Sequence, residues 1–151
     1  MLWHKDNDLA GEPFPYVRQT NVHWVVTDAF PNGGDLSRRF PPENGLSDSY
    51  TFDGKEYGTR RVTGAGIYLH HFWSQWCTFP ALFDNPSENS TAYAYTWVYS
   101  PKSQNVGMLV EFQNYSRSAN DVPPPTGCWD YRGSRIWLND QELLPPDWTN
   151  A

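Results

Sequence analysis

The chain has 151 residues, room for one domain. With 11 Lys+Arg against 17 Asp+Glu it carries a net charge of −6, which argues against nucleic acid or an anionic membrane surface as a partner, since both reward a positive footprint. Aromatic residues make up 17% of the chain, with 8 Trp, 9 Tyr and 8 Phe; each ring removes roughly 150–250 Å² from water when covered, so a chain poor in aliphatics still has material for a folded core.

Residues 1–21 are polar and broken by Pro13 and Pro15, and read as a leading segment or linker before a domain spanning 22–151. The N-terminus, Met1 to Asp8, shows no apolar signal-peptide core. No stretch approaches the roughly 20 apolar residues of a membrane helix, so no membrane insertion is expected. His23 to Thr27 is a short β-rich run that ends in a dense turn signal, Asp28 to Asp35. Residues 36–49 read as loop, with Pro41-Pro42 and Asn44-Gly45. Tyr50-Thr51-Phe52 and Lys55-Glu56-Tyr57 flank Asp53-Gly54, a strong short-range hairpin signal.

Ala65 to Trp73 has the composition of a strand, and Ser74 to Thr91 that of a long irregular connection. From Ala92 to Tyr99 the large residues Tyr93, Tyr95, Trp97 and Tyr99 share one parity, and Ala92, Ala94, Thr96 and Val98 the other. That alternation predicts a strand buried on both faces. After a turn at Ser100 to Asn105, Met108 to Gln113 alternates as a second long strand. A polar loop over 116–127 is stiffened by Pro123-Pro124-Pro125. Ser134 to Asn139 is a further strand; Asn139-Asp140 turns it into the return strand Gln141 to Leu144, which Pro145-Pro146 stops. No window carries an uninterrupted helical period.

Short strands between Pro, Gly, Asn and Asp turns predict an all-β fold, an antiparallel β-sandwich or jelly roll. Such folds usually need about eight strands, and only seven runs are visible. The fold is therefore expected to be short of a strand, with an open edge that invites strand addition and homo-oligomers.

The chemistry signals are sparse. No phosphate loop is present, because Gly64-Ala65-Gly66 precedes a strand and not a helix. His70 and His71 are adjacent and point to opposite faces of a strand, and no HExxH or paired CxxC occurs. Cys77 and Cys128 are read as two unpaired thiols, with one bridge between them as the alternative. No nucleophile elbow activates a Ser or Cys, and Glu111 and Asp130 read as solvated carboxylates, not as a hydrolytic pair. No catalytic residue is assigned. Asp28 and Asp35 are candidate ligands for a structural Ca²⁺, and no other cofactor is expected. Asn89-Ser90-Thr91 and Asn114-Tyr115-Ser116 match the N-glycosylation pattern.

What remains is a set of aromatics in loop-like segments: Trp73 and Trp76, then Trp129 and Tyr131 beside Asp130 and Arg132. Sugar rings lay apolar C–H faces on aromatic rings, while their hydroxyls take directed hydrogen bonds from Asn, Asp and Arg. Trp73, Trp76, Trp129, Tyr131 and Arg132 are the candidate carbohydrate-binding residues. The competing reading is that these rings plug the sandwich ends or pack on another domain.

Four runs extend this reading: Val62 to Trp73 (VTGAGIYLHHFW), Thr91 to Pro101 (TAYAYTWVYSP), Val110 to Ser118 (VEFQNYSRS) and Trp129 to Asp140 (WDYRGSRIWLND). Together with Asp28 to Asp35, they resemble the C-terminal accessory domain of glycoside hydrolase family 20 β-N-acetylhexosaminidases from gut Bacteroidetes, over about residues 24 to 148. The resemblance implies a galactose-binding-like β-sandwich. It transfers no catalytic residue, because the family's Asp-Glu pair sits on a separate barrel. The family domain continues past the position of Trp148 with further strands, including a Gly-Trp-Asn-type run, so this chain is expected to be a truncated piece. The implied function is a non-catalytic accessory module of a glycan-degrading enzyme. It would bind N-acetylhexosamine-containing oligosaccharide weakly, stabilise the parent's catalytic domain, or both, in the periplasm or outside the cell. The alternative is a structural domain that packs on a catalytic barrel or on itself without binding glycan.

Overall fold

The structure, a computed structural model, describes residues 23–63, 88–105, 112 and 124–145. The expected strands at Ala65 to Trp73 and Met108 to Gln113 lie outside the described residues, apart from Phe112. So do His70, His71 and Cys77. The chain divides into two units, Met1–Leu109 and Val110–Ala151.

In the first unit, β1 (His23–Thr27) pairs antiparallel with β4 (Lys55–Thr63), in register from His23 opposite Thr63 to Thr27 opposite Thr59. A hairpin joins β3 (Ser49–Phe52) to β4, with Phe52 opposite Lys55. The hairpin follows from Asp53-Gly54. Both residues take positive φ, 49° and 74°, the left-handed pair that a tight turn between right-twisted strands demands. Two shorter strands, β5 (Ser90–Thr91) and β6 (Ala94–Tyr95), come back from later in the chain. β6 adds to the free side of β1, giving the sheet order β3-β4-β1-β6.

β5 pairs with β2 (Phe30–Pro31), which lies inside the segment the sequence assigns wholly to a turn. Two facts let a strand form there. Pro31 has no N–H to leave unsatisfied at a short edge, and Asn32 ties the two segments together. The Asn32 backbone N–H donates to the Asn89 carbonyl at 2.8 Å, and its Nδ2 donates to Thr91 Oγ1 at 3.0 Å.

This short strand aims Phe30 into the core. Phe30 is completely buried and stacks on Tyr57 at 4.4 Å and on Phe40 at 5.1 Å between ring centroids. Tyr50, Phe52 and Tyr93 meet it edge-on, the arrangement that aromatic quadrupoles favour. Tyr93 is placed there by reciprocal bonds with Thr27, whose N–H donates to the Tyr93 carbonyl and whose hydroxyl accepts the Tyr93 N–H. A 3-10 turn, Pro41–Asn44, covers one side. Its Glu43 side chain is 8% exposed and is held by Arg39 and by the Tyr93 hydroxyl. The Arg38 guanidinium lies over the Phe40 and Phe52 rings at 5.6 and 5.0 Å and pairs with Asp53.

In the second unit, β7 (Ile136–Leu138) and β8 (Gln141–Leu143) form the expected hairpin. Asn139 and Asp140 turn it with φ of 49° and 64°. These are the two non-glycine types that best tolerate that region. All described strand pairs are antiparallel, and no α-helix occurs among the described residues. The fold is all-β. Among the described residues, no helix is long and apolar enough to cross a membrane.

The expected long strand Ala92 to Tyr99, buried on both faces, is not what forms. Ala94 and Tyr95 pair opposite Val26 and Val25, and Tyr99 takes part in an isolated bridge. Beyond Tyr95 the chain leaves that ladder, and the Thr96 hydroxyl donates to the His23 carbonyl instead. Trp97 and Tyr99 stand out of the core, 66% and 70% exposed.

Candidate functional site

The loop from Trp129 to Ser134 carries three of the five candidate residues. Asp130 organises it. One carboxylate oxygen accepts the Arg132 and Ser134 backbone N–H groups at 2.8 and 3.0 Å, and the other accepts the Ser134 hydroxyl at 2.6 Å. This is the local closure that Asp side chains favour in turns, and Gly133 supplies the positive φ of 70° that the bend requires. Asp130 is thus a turn builder, with both oxygens engaged inside the loop.

Trp129 fixes the loop to the hairpin. Its indole N–H donates to the Leu143 carbonyl at 3.2 Å on β8, and its ring lies 6.3 Å from that of Phe112. It is half-buried. Trp129 therefore acts first as a strut, and the outward surface of the loop belongs to Tyr131 and Arg132. Both are exposed, Tyr131 to 47%. A planar guanidinium beside a phenol ring offers one stacking face and several directed donors. Trp73 and Trp76 lie outside the described residues.

Asp28 and Asp35 are engaged within the fold. Asp28 accepts the Gly58 N–H at 2.8 Å and pairs with Arg60 at 2.9 Å, fixing the end of β1 against β4. Asp35 accepts the N–H and hydroxyl of Ser37. Among the described residues, no three His, Cys, Asp or Glu side chains gather where they could hold a metal ion. Cys128 is exposed at the end of a turn closed by its N–H to the Pro125 carbonyl.

Trp97 and Tyr99, expected in the core, are each exposed in the first unit. Trp97 meets Tyr95 edge-on at 5.2 Å and 88°. Tyr95 is in turn anchored by its hydroxyl, which donates to the Ser47 carbonyl at 3.2 Å. Burial, then the nearby Tyr50 and Asp48, hold the Tyr95 hydroxyl above its ordinary pKa of 10.0, while Arg61 opposes them. The available sequence signal was Ser100-Pro101, which ends the run directly after Tyr99.

Compared with known proteins, the chain matches no family profile, no curated protein and no solved structure.

Proposed function

We propose that the chain is a non-catalytic accessory module of a glycan-degrading enzyme of the β-N-acetylhexosaminidase type. In this reading it belongs to a galactose-binding-like sandwich and makes weak contact with N-acetylhexosamine-containing glycans outside the cytoplasm. The observation that carries the reading is the turn built by Asp130. The turn pins its own backbone and leaves Tyr131 and Arg132 outward, so a ligand meets a surface already ordered and loses less entropy on binding. Titration calorimetry of the whole chain tests it, against N-acetylglucosamine, N-acetylgalactosamine, galactose and mucin-type oligosaccharides. Heat with an N-acetylhexosamine-containing sugar, weakened about tenfold by Tyr131→Ala, is the expected result. No heat with any of the four contradicts glycan binding.

A second reading has its own support. Leu138 and Leu144, at 52% and 85% exposed, stand on and just after the β7–β8 hairpin, and aliphatic side chains serve a protein contact better than a sugar. This makes the module a structural partner of a catalytic barrel or of a second copy. The solution mass, together with co-purification with the parent enzyme's catalytic domain, separates the two.

A further inference from the structure

We propose that Asn44-Gly45 is a site of self-modification, at which the folded chain slowly loses the Asn44 side-chain amide and gains an acid in its place. It is independent of glycan binding. The chain holds a second Asn-Gly pair, Asn32-Gly33, and the fold treats the two in opposite ways.

Asn is thermolabile, and most so before glycine, which puts no side chain between its own backbone nitrogen and the Asn side-chain carbonyl carbon. The Gly45 nitrogen gives up its proton and attacks Asn44 Cγ. The N–Cγ bond forms, the Cγ–Nδ2 bond breaks, and Nδ2 takes up the proton and leaves as ammonia. Water is the co-reactant of the second step. Its oxygen adds to either carbonyl carbon of the cyclic imide, the imide C–N bond breaks and the nitrogen recovers a proton, giving Asp or isoaspartate. Either product adds one negative charge to a chain that already carries −6.

The surroundings of Asn44 permit this. Asn44 ends the 3-10 turn Pro41–Asn44 and is exposed, and among the described residues no hydrogen bond holds its side chain. Gly45 takes φ 154° and ψ 148°, a region that glycine alone occupies readily, so the turn keeps the residue that makes the pair labile. A Cβ built on Gly45 would meet nothing within 4 Å, which leaves room for the ring to close. Asn32 is the opposite case. It is 4% exposed, its Nδ2 donates to Thr91 Oγ1 at 3.0 Å and its Oδ1 accepts the Gly34 N–H at 2.8 Å. Loss of ammonia would break the first of these bonds inside a buried site. Asn32 therefore reacts only in molecules whose β2–β5 pair has opened, whereas Asn44 reacts from the folded state.

The test is incubation of the whole chain in mildly alkaline buffer, with and without urea, followed by trypsin digestion and tandem mass spectrometry. Cleavage after Arg38 and Arg39 puts Asn32 and Asn44 on separate peptides, and near-UV circular dichroism shows that the chain without urea is folded. The expected result in the folded chain is conversion of Asn44 to Asp and isoaspartate at a rate about tenfold or more above that of Asn32. In urea the two rates should come together, because the bonds that guard Asn32 are gone. Asn44→Gln, whose longer side chain does not form the same ring, should remove the acidic product from that peptide and leave Asn32 as it was. Equal conversion of the two residues in the folded chain overturns the proposal. So does conversion of Asn44 in urea alone, because the fold would then guard both pairs.

Discussion

Around Phe30, four buried rings (Phe30, Phe40, Tyr50 and Tyr57) are closed in by Phe52 and Tyr93. Along the β7–β8 hairpin and the loop before it, none of the described residues is buried. The first region keeps its shape because removing its aromatic area from water is favourable however the surrounding loops run. The second keeps its shape by directed bonds: the three donors on Asp130 and the Trp129 N–H on Leu143. An isolated two-stranded hairpin is marginal in water, so those bonds matter more there than they would beside a core. Rings in the same chain therefore divide into those that hold the fold and those, such as Trp97, Tyr99 and Tyr131, that are left facing solvent.

Substitutions can break or sharpen this contrast. The largest expected effect is Phe30→Ala, about 3–5 kcal/mol from lost burial plus the cavity left behind, read as a fall in the urea midpoint. A loss below about 1 kcal/mol would mean that Phe30 is not the centre of the core. Tyr93→Phe comes next. It leaves the nearly buried Glu43 carboxylate with one donor fewer, and a cost of about 1–3 kcal/mol is expected.

Asp130→Ala should cost about 1–2 kcal/mol, locally. Amide exchange at Arg132 and Ser134 should quicken while β1 and β4 keep their protection. Loss of protection in both regions would dissolve the contrast between them.

The smallest effect is a pH dependence. Because the folded protein holds the Tyr95 hydroxyl above 10.0, it favours the protonated form. The associated stability is complete below pH 10 and is lost as pH rises through the raised value. Thermal unfolding from about pH 9 to pH 11 should show an alkaline decline that shrinks in Tyr95→Phe. An identical decline in both proteins would assign it to other groups.

Much of the fold could be read where local chemistry decides it. Asp53-Gly54 and Asn139-Asp140 name their turns because few residues accept two successive positive φ values, and His23 to Thr27 has no competing structure. Phe30 could not be read, because its burial depends on pairing with Ser90–Thr91, some 60 residues away; that contact leaves no trace in the neighbouring sequence. Trp97 and Tyr99 were misread for a related reason. Alternation reports that two faces differ, but whether anything covers them is a tertiary fact. Within the candidate loop, the grouping of Trp129, Tyr131 and Arg132 follows from adjacency alone. The separate roles of strut and outward surface need the Leu143 carbonyl, which only the folded hairpin supplies.

The most direct test of this division of the rings is a nuclear magnetic resonance titration of the whole chain with an N-acetylglucosamine oligosaccharide, following the aromatic side-chain signals. The account predicts that Tyr131 shifts while Phe30, Phe40 and Tyr57 do not. Shifts in the Phe30 cluster with none at Tyr131, or no shift anywhere at saturating sugar, would contradict it.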